Sequence, residues 1–171
     1  MEGIPTKNNA EIEKEDIVNT DTNVSKEGNE KFIIDCDADP FVPEGWTVEE
    51  HQKGGQFEFD ATRINLCLFG KQKSGLCKGN EIRKGLADRP VLNANVLDYL
   101  LANPQLIPWQ WSNIWELKRD DVYFWGTIYH GPKGSLFVRC LQSLGRHGWC
   151  WSCRSLDDDW GENHTAALRA S

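Results

Sequence analysis

The sequence has little of several features that define common protein classes. Of its 171 residues, one is Met and three are Tyr. No apolar run approaches the roughly 18 residues of a membrane-spanning helix, and the first residues lack the basic and apolar regions of a signal peptide. We therefore expect no membrane span and, by default, a cytoplasmic location. An excess of basic residues is also lacking, because 26 acidic and 19 basic side chains give a net charge of −7. That balance argues against a nucleic-acid partner, whose phosphates are bound by Lys and Arg.

The first 31 residues differ in composition from the rest of the chain. They contain no aromatic residue and no Cys, and their eight acidic residues and four lysines supply −4 of the net −7. Such a segment cannot bury enough apolar surface to offset the entropy that is lost on ordering. We therefore expect a disordered acidic tail over residues 1–31, followed by a single folded domain over residues 32–171.

The remainder of the chain has the patterns of short strands and of two helices. Alternating or β-branched and aromatic runs predict strands over residues 32–36, 57–59, 64–68, 122–129, 136–144, 149–154 and 166–168. Helices are predicted over 81–86 and 94–102, the second with Asn93 as its N-cap. Residues 70–79, with three Lys and three Gly, predict an exposed loop. Because helices and strands do not alternate, the expected fold class is α+β with a mostly antiparallel sheet.

Tryptophan is what the chain has in excess. Seven of its eight Trp residues lie between positions 109 and 160. The first four of them are Trp109, Trp111, Trp115 and Trp125, which we interpret as core residues, with stacking on a flat ligand as the alternative. Trp149 and Trp151 are two residues apart and share one face of the predicted strand, which we expect to point inward. The opposite face, with Cys150, Ser152 and Arg154, is then expected to point outward.

The six cysteines allow a second interpretation. Cys150 and Cys153 form a C-x-x-C pair, but a redox pair of this kind lies at a helix N-terminus, and no amphipathic helix follows. In a strand, side chains three residues apart point to opposite faces. Together with Cys67 and Cys77, this pair gives four candidate zinc ligands, although the spacing between Cys67 and Cys77 is too long for a usual zinc knuckle. A small zinc-stabilised or redox cysteine domain therefore stays as an alternative, and we expect no cofactor and no metal site.

Motifs of enzymatic chemistry are also lacking. The sequence has no G-x-S-x-G, no H-E-x-x-H and no phosphate-binding glycine loop. The acidic run at residues 157–159 lacks the alternating acids and central Gly of a calcium loop. The four His residues are scattered and have no metal-ligand spacing. We therefore expect a protein that is not an enzyme.

Most of the folded part of the chain resembles a group of uncharacterised proteins from candidate-phylum bacteria. The resemblance is carried by FIIDCDADPFVPEGWTVEEHQKGG (32–55), PVLNANVLDYLLANPQLIP (90–108), FWGTIY (124–129) and the closing residues 166–171. Members of that group share the body and differ near the C-terminus, which resembles the variable proteins of diversity-generating retroelements. The resemblance implies a C-type-lectin-like fold and a non-enzymatic ligand-binding or display function. It also implies a hypervariable C-terminal region, here about residues 147–165, that binds an unknown protein or cell-surface ligand.

The composition of that region fits the mechanism that the resemblance implies. Such retroelements substitute adenines, typically in AAC codons, whereas the Trp codon TGG has no adenine and is left unchanged. The implied scaffold residues are therefore Trp149, Trp151 and Trp160. The implied ligand-binding residues are His147, Cys150, Ser152, Cys153, Arg154, Ser155, Asp158, Gly161, Asn163 and His164. The nine residues after His147 in this set have codons that substitution of adenines in AAC or TAC can produce.

The chain departs from better-known lectin-like variable domains in two motifs. It has no G-G-S-W and no closing G-F-R. If diversification produced Cys150 and Cys153, their C-x-x-C spacing is accidental. A phage-related interaction module remains a further alternative, and it predicts a fixed partner and therefore a constant sequence over residues 147–164.

Overall fold

A computed structural model describes residues 31–112 and 121–170 of the chain. The expected tail lies outside the described residues, except for its last residue, Lys31. The strands are β1 (Ile33–Asp35), β2 (Thr47–His51), β3 (Gln56–Glu58), β4 (Ile64–Cys67), β5 (Cys77–Lys78), β6 (Asp121–His130), β7 (Leu136–Ser143), β8 (Trp149–Ser155), β9 (Asp159–Trp160) and β10 (His164–Arg169). The helices are α1 (Gly79–Leu86) and α2 (Ala94–Ala102).

One six-stranded sheet organises the domain. Its strand order is β4-β10-β6-β7-β8, and β2 pairs with the second half of β6. All pairings are antiparallel except that of β10 with β6. The strand β10 therefore lies between the edge strand β4 and the central strand β6. Two small antiparallel pairs, β1 with β3 and β5 with β9, lie outside this sheet.

Each face of the sheet has its own hydrophobic core, because successive side chains of a strand point to opposite faces. On one face α2 supplies Val96, Leu97 and Leu100, which contact Phe124 and Leu141 of the sheet, and we call this cluster the α2 core. On the other face α1 packs together with β5 and β9. This second cluster, the α1 core, contains the buried residues Ile82, Leu86, Tyr123, Trp125, Val138, Cys140, Leu156 and Trp160.

Asn93 fixes the start of α2 against the sheet. Its side-chain oxygen accepts a hydrogen bond from the Asn95 N–H, as an N-cap does. Its Nδ2 donates to the Cys36 and Gln52 carbonyl oxygens at 2.8 and 3.0 Å. Gly126 of β6 runs so close that a Cβ there would lie 2.9 Å from the Asn93 Cα. Glycine at this position therefore permits the close approach of the two backbones.

The α+β class and the mostly antiparallel sheet are confirmed, and α2 has its predicted bounds. The strand predictions agree with the structure to within two residues at each end. The prediction of an exposed loop over residues 70–79 is wrong in part, because Gln72 and Cys77 are buried. Gln72 donates from Nε2 to the carbonyl oxygens of Gly161 and His164, which composition alone does not indicate.

The interpretation of the first four Trp residues as core residues is also corrected in part. Trp111 and Trp125 are buried, whereas Trp109 is 71% exposed. Trp115 lies outside the described residues. Neither helix in the described ranges is long and apolar enough to span a membrane.

Candidate functional site

The predicted variable region is centred on β8, which is an edge strand of the sheet. It pairs along its whole length with β7, from Ser143↔Trp149 to Phe137↔Ser155. Within residues 31–112 and 121–170, no strand pairs with its other edge. We use the term β8 surface for the side chains of Trp149–Ser155 together with His147, Asp158 and Asn163. Residues on both faces of β8 are at least partly exposed, so this strand presents side chains on two sides.

On the α2 side of the sheet, the β8 surface contains an aromatic and cationic platform. The Arg139 guanidinium lies 4.8 Å from the Trp151 ring and 5.0 Å from the Phe41 ring, a cation–π arrangement with both. Arg139 also donates two hydrogen bonds to the Asp98 carboxylate, at 2.6 and 3.1 Å. The Arg139 side chain is 1% exposed, so a paired charge holds two aromatic rings in place.

The expectation that the Trp149 and Trp151 face is wholly inward is therefore wrong for Trp151. Trp149 is half-buried and packs against the α2 core, but Trp151 is 38% exposed. Phe41, whose ring is 6.4 Å from that of Trp151, is 53% exposed. The physical reason is that Trp149 packs against the α2 core, whereas Trp151 lies outside that cluster, beside the exposed Phe41 ring. Trp151 thus belongs to the surface and not to the scaffold.

On the α1 side, Cys150, Ser152 and Arg154 share the opposite face of β8, as predicted, and each is half-buried. Arg154 donates from Nε and Nη2 to the Asp159 carbonyl oxygen, at 3.2 and 2.7 Å. Its guanidinium lies 5.9 Å from the Trp160 ring. These contacts connect β8 to β9, so Arg154 both contributes to the surface and holds the loop after it.

Trp160 is a scaffold residue in the structure. Its ring is fully buried, packs against Tyr123 and Trp125, and donates from Nε1 to the Ser155 carbonyl oxygen at 3.0 Å. Because this bond joins the end of β8 to β9, the indole fixes the turn over residues 156–158. The predicted site residue Asp158 is exposed in that turn.

Two of the predicted ligand-binding residues are buried, which corrects their assignment to the surface. Gly161 and His164 lie inside the domain, and the Gly161 N–H donates to His164 Nδ1 at 2.9 Å. Burial, together with the nearby Arg154 charge, lowers the pKa of His164 to about 4. The imidazole is therefore neutral at pH 7 and accepts a backbone hydrogen bond. The remaining predicted residue between them, Asn163, is exposed.

The cysteines of the C-x-x-C pair point to opposite faces of β8, as its extended conformation requires. Cys153 lies beside Arg139, which Cα pairing places directly across from it. In this conformation the two thiols cannot form one disulfide or ligate one metal ion. Among the described residues, no group of three or more His, Cys, Asp or Glu side chains is arranged to hold a metal.

Four of the thiols in the described residues, those of Cys36, Cys77, Cys140 and Cys153, are poorly suited to nucleophilic chemistry. Burial raises the pKa of Cys36 to about 11 and also raises the pKa values of Cys77, Cys140 and Cys153. A thiol with a raised pKa has little thiolate at neutral pH, and the thiolate is the reactive form. These cysteines behave as small buried or half-buried side chains.

The acidic run at residues 157–159 has partners within the protein. The Asp157 carboxylate accepts from Asn80, and Asp159 forms an ion pair with Lys78 at 2.8 Å. Both contacts join the turn after β8 to the segment at the start of α1. These contacts do not include the exposed Asp158, which is the acidic residue of the run that belongs to the β8 surface.

Sequence reasoning missed the contribution of Arg139, Asp98 and Phe41 to the site. One signal was present, since Arg139 lies within the apolar run of β7 between Val138 and Cys140, and a charge in such a position needs a partner. The partner on α2 and the ring from the loop after β1 are distant in sequence. Only the folded arrangement brings them together.

Comparison of the chain with family models, with curated proteins and with solved structures finds no match.

Proposed function

We propose that this protein is a non-enzymatic ligand-binding protein whose β8 surface is diversified, as in the variable proteins of diversity-generating retroelements. The ligand is a protein or a cell-surface molecule. The observation that carries the proposal is the position of β8 at the sheet edge, where seven consecutive residues present side chains on both faces above two buried cores.

Diversification needs positions whose change does not unfold the protein. The exposed residues His147, Asp158 and Asn163, and the half-buried Cys150 and Ser152, are such positions, since substitutions at partly exposed sites away from the core usually have small effects. The backbone of Cys150 and Ser152 is held by the complete β7–β8 ladder, and the turn that contains Asp158 is held by Trp160. A rigid frame lowers the entropy cost of binding, whichever side chains the surface carries.

The buried positions in the region refine the proposal. Gly161 and His164 are held by each other and by the Gln72 side chain. A change at either residue disturbs the packing of the domain, so the diversified residues are those of the β8 surface other than Trp149 and Trp151. Trp151 becomes a constant ligand-contacting residue, because its codon has no adenine and its ring is exposed.

We further propose a C-type-lectin-like fold for residues 32–171. The proposal is supported by the closing strand β10, which lies between β4 and β6, and by the position of both helices in the chain between β4 and β6. This arrangement joins β10 to β4 and β6 and leaves the β6–β7–β8 strands to carry the surface.

The test of the function is the DNA beside the gene. We expect a near-identical non-coding repeat of the segment that encodes β8 and the following turn, differing from the gene at adenines, and a reverse transcriptase gene nearby. A neighbourhood without a repeat and without a reverse transcriptase would contradict the proposal. The cysteine-domain alternative predicts instead that the purified protein contains stoichiometric zinc, which elemental analysis measures.

A further inference from the structure

The free edge of β8 carries a row of backbone donors and acceptors. Directly after this strand, the Leu156 N–H donates to the Leu136 carbonyl oxygen on the β7 side. Because successive strand residues direct their N–H and C=O groups to alternate sides, the even-numbered residues of β8 bond to β7. The odd-numbered residues Trp149, Trp151 and Cys153 direct these groups away from β7. Among the described residues, no hydrogen bond is formed by the N–H and C=O groups of these three.

This edge lacks the features that protect the other edge strands of the sheet. The strand β2 carries the exposed Glu49 and Glu50 and has a bulge between Val48 and Glu50. Charges and bulges are common means of preventing a further strand from pairing. The strand β4 has only four residues. By contrast, β8 has seven residues in unbroken register with β7, no Pro, and an exposed Trp151, so it is open to strand addition.

The charges at the two ends of β8 favour a second copy of the same strand as the occupant of this edge. The basic residues Arg146 and His147 precede the strand, the acidic residues Asp157 and Asp158 follow it, and all four are exposed. Antiparallel pairing of two copies brings the basic end of each strand beside the acidic end of the other. Parallel pairing would bring like charges together, which is unfavourable.

We propose that two copies of this chain pair through β8, antiparallel about a two-fold axis at Trp151, and so join their six-stranded sheets. In this register Trp151 lies opposite its own copy, and Trp149 lies opposite Cys153 of the other copy. All the outward-pointing backbone groups of these residues then exchange hydrogen bonds. A shift of two residues leaves some of these groups unpaired. Since the same edge serves both copies, the contact closes at two chains.

The side chains near the axis are compatible with this register. The two Trp151 rings, each 38% exposed in the single chain, become neighbours on the α2 side, and aromatic cross-strand pairs stabilise a sheet. On the α1 side, Cys150, Ser152 and Arg154 of both copies form one continuous face. The dimer does not rest on the proposed diversification, because its hydrogen bonds are those of the backbone. It does place two copies of the β8 surface side by side.

Sedimentation equilibrium of the full chain measures the association. We expect the mass to rise with concentration from 19.5 kDa to twice that value at micromolar concentrations. Trp151→Glu places two carboxylates opposite each other at the axis and should weaken dimerisation about tenfold. Val48→Glu is the matched control, because Val48 is 37% exposed and lies on β2. It should change the dimerisation constant by less than about twofold.

Disulfide formation tests direction and register, in a background with Cys150→Ser and Cys153→Ser. Trp151→Cys should give a linked dimer on mild oxidation, because the Cα atoms of a hydrogen-bonded antiparallel pair lie about 5.5 Å apart, a distance that a disulfide spans. Ser155→Cys is the control and should give no link, since residue 155 lies opposite residue 147 of the other copy. Parallel pairing in register would link both variants.

Three results would overturn the proposal. The parent chain stays at 19.5 kDa up to millimolar concentrations, or Trp151→Glu and Val48→Glu dimerise equally well, or Ser155→Cys forms the link as readily as Trp151→Cys. Because the mass of the parent needs no substitution, the proposal stays falsifiable even where Trp151→Glu fails to fold. None of these results bears on the substitution of adenines in the gene, so the two proposals fail separately.

Discussion

At the scale of single residues, Arg139 decides how the exposed aromatic rings of the β8 surface are held. Its guanidinium is almost fully buried between Phe41 and Trp151 and forms two hydrogen bonds with Asp98, whose side chain is 31% exposed. A buried charge without its partner is costly, whereas replacing both partners with apolar side chains is often tolerated.

Arg139→Met should therefore lower the free energy of unfolding by about 2–4 kcal/mol, because it leaves Asp98 partly buried and unpaired. The double variant Asp98→Leu with Arg139→Met should recover at least half of that loss. Urea denaturation measures both, with Arg146→Met in the exposed turn before β8 as the control, expected within about 0.5 kcal/mol of the parent. A double variant that is no more stable than Arg139→Met would contradict the role given to the pairing of Arg139 with Asp98.

His164 makes the stability of the domain depend on pH. Its pKa is lower in the folded protein, about 4, than its ordinary value of 6.5, mainly because it is buried. Between these pH values the unfolded chain binds a proton that the folded chain does not. The stabilisation is therefore complete above pH 6.5 and is lost as the pH falls towards 4.

Between pH 6.5 and pH 4, the free energy of unfolding of the parent should fall by up to about 3 kcal/mol more than that of the His164→Asn variant. Asn retains an oxygen that can accept from the Gly161 N–H but does not titrate in this range. Urea denaturation at several pH values measures the difference. Parallel profiles for the parent and His164→Asn would show that His164 is not the titrating group.

At the scale of elements, α2 and β8 differ in how they are held. The N-terminus of α2 is fixed by three hydrogen bonds of the Asn93 side chain, all with backbone groups in different segments. The strand β8 is fixed by its backbone ladder with β7, and most of its side chains are partly free of the core. Side-chain changes should therefore destabilise the domain at the N-terminus of α2 and be tolerated in β8.

Asn93→Ala should destabilise the domain by about 3 kcal/mol. The loss of the N-cap contributes about 1 kcal/mol, and the loss of each hydrogen bond, to the Cys36 and Gln52 carbonyl oxygens, contributes about 1 kcal/mol. Asn103→Ala is the matched control at the other end of α2. There the side chain donates one bond, to the Tyr99 carbonyl oxygen, so a loss of about 1 kcal/mol is expected. Thermal and urea denaturation measure both, and equal losses would contradict the role given to Asn93.

Replacing both cysteines of β8, Cys150→Ser with Cys153→Ser, should change the free energy of unfolding by less than about 1 kcal/mol. The two side chains are half-buried, lie on opposite faces and share no contact. Cys140→Ser, at a fully buried position in the α1 core, is the control and should cost more. Loss of the fold in the β8 double variant would favour the cysteine-domain alternative.

At the scale of the whole molecule, local sequence patterns predicted the positions of helices and strands, whereas contacts between residues distant in sequence determine which side chains form the candidate site. α2 was predicted to the residue because Asn93 and Pro104 mark its two ends. Periodicity correctly placed Trp149 and Trp151 on one face of a strand, but it carries no information on how far α2 covers that face. The face of Trp151 was therefore predicted correctly, but the expectation that its side chain is buried was wrong.

The buried and exposed positions of the C-terminal region make the central claim testable in living cells. The gene is sequenced from many cells of one population, and substitutions are counted by codon. The account predicts substitutions at adenines in the codons of the β8 surface, with the codons of Trp149, Trp151 and Trp160 unchanged and those of Gly161 and His164 nearly so. Substitutions spread evenly along the gene, or a constant sequence over residues 147–164, would contradict it.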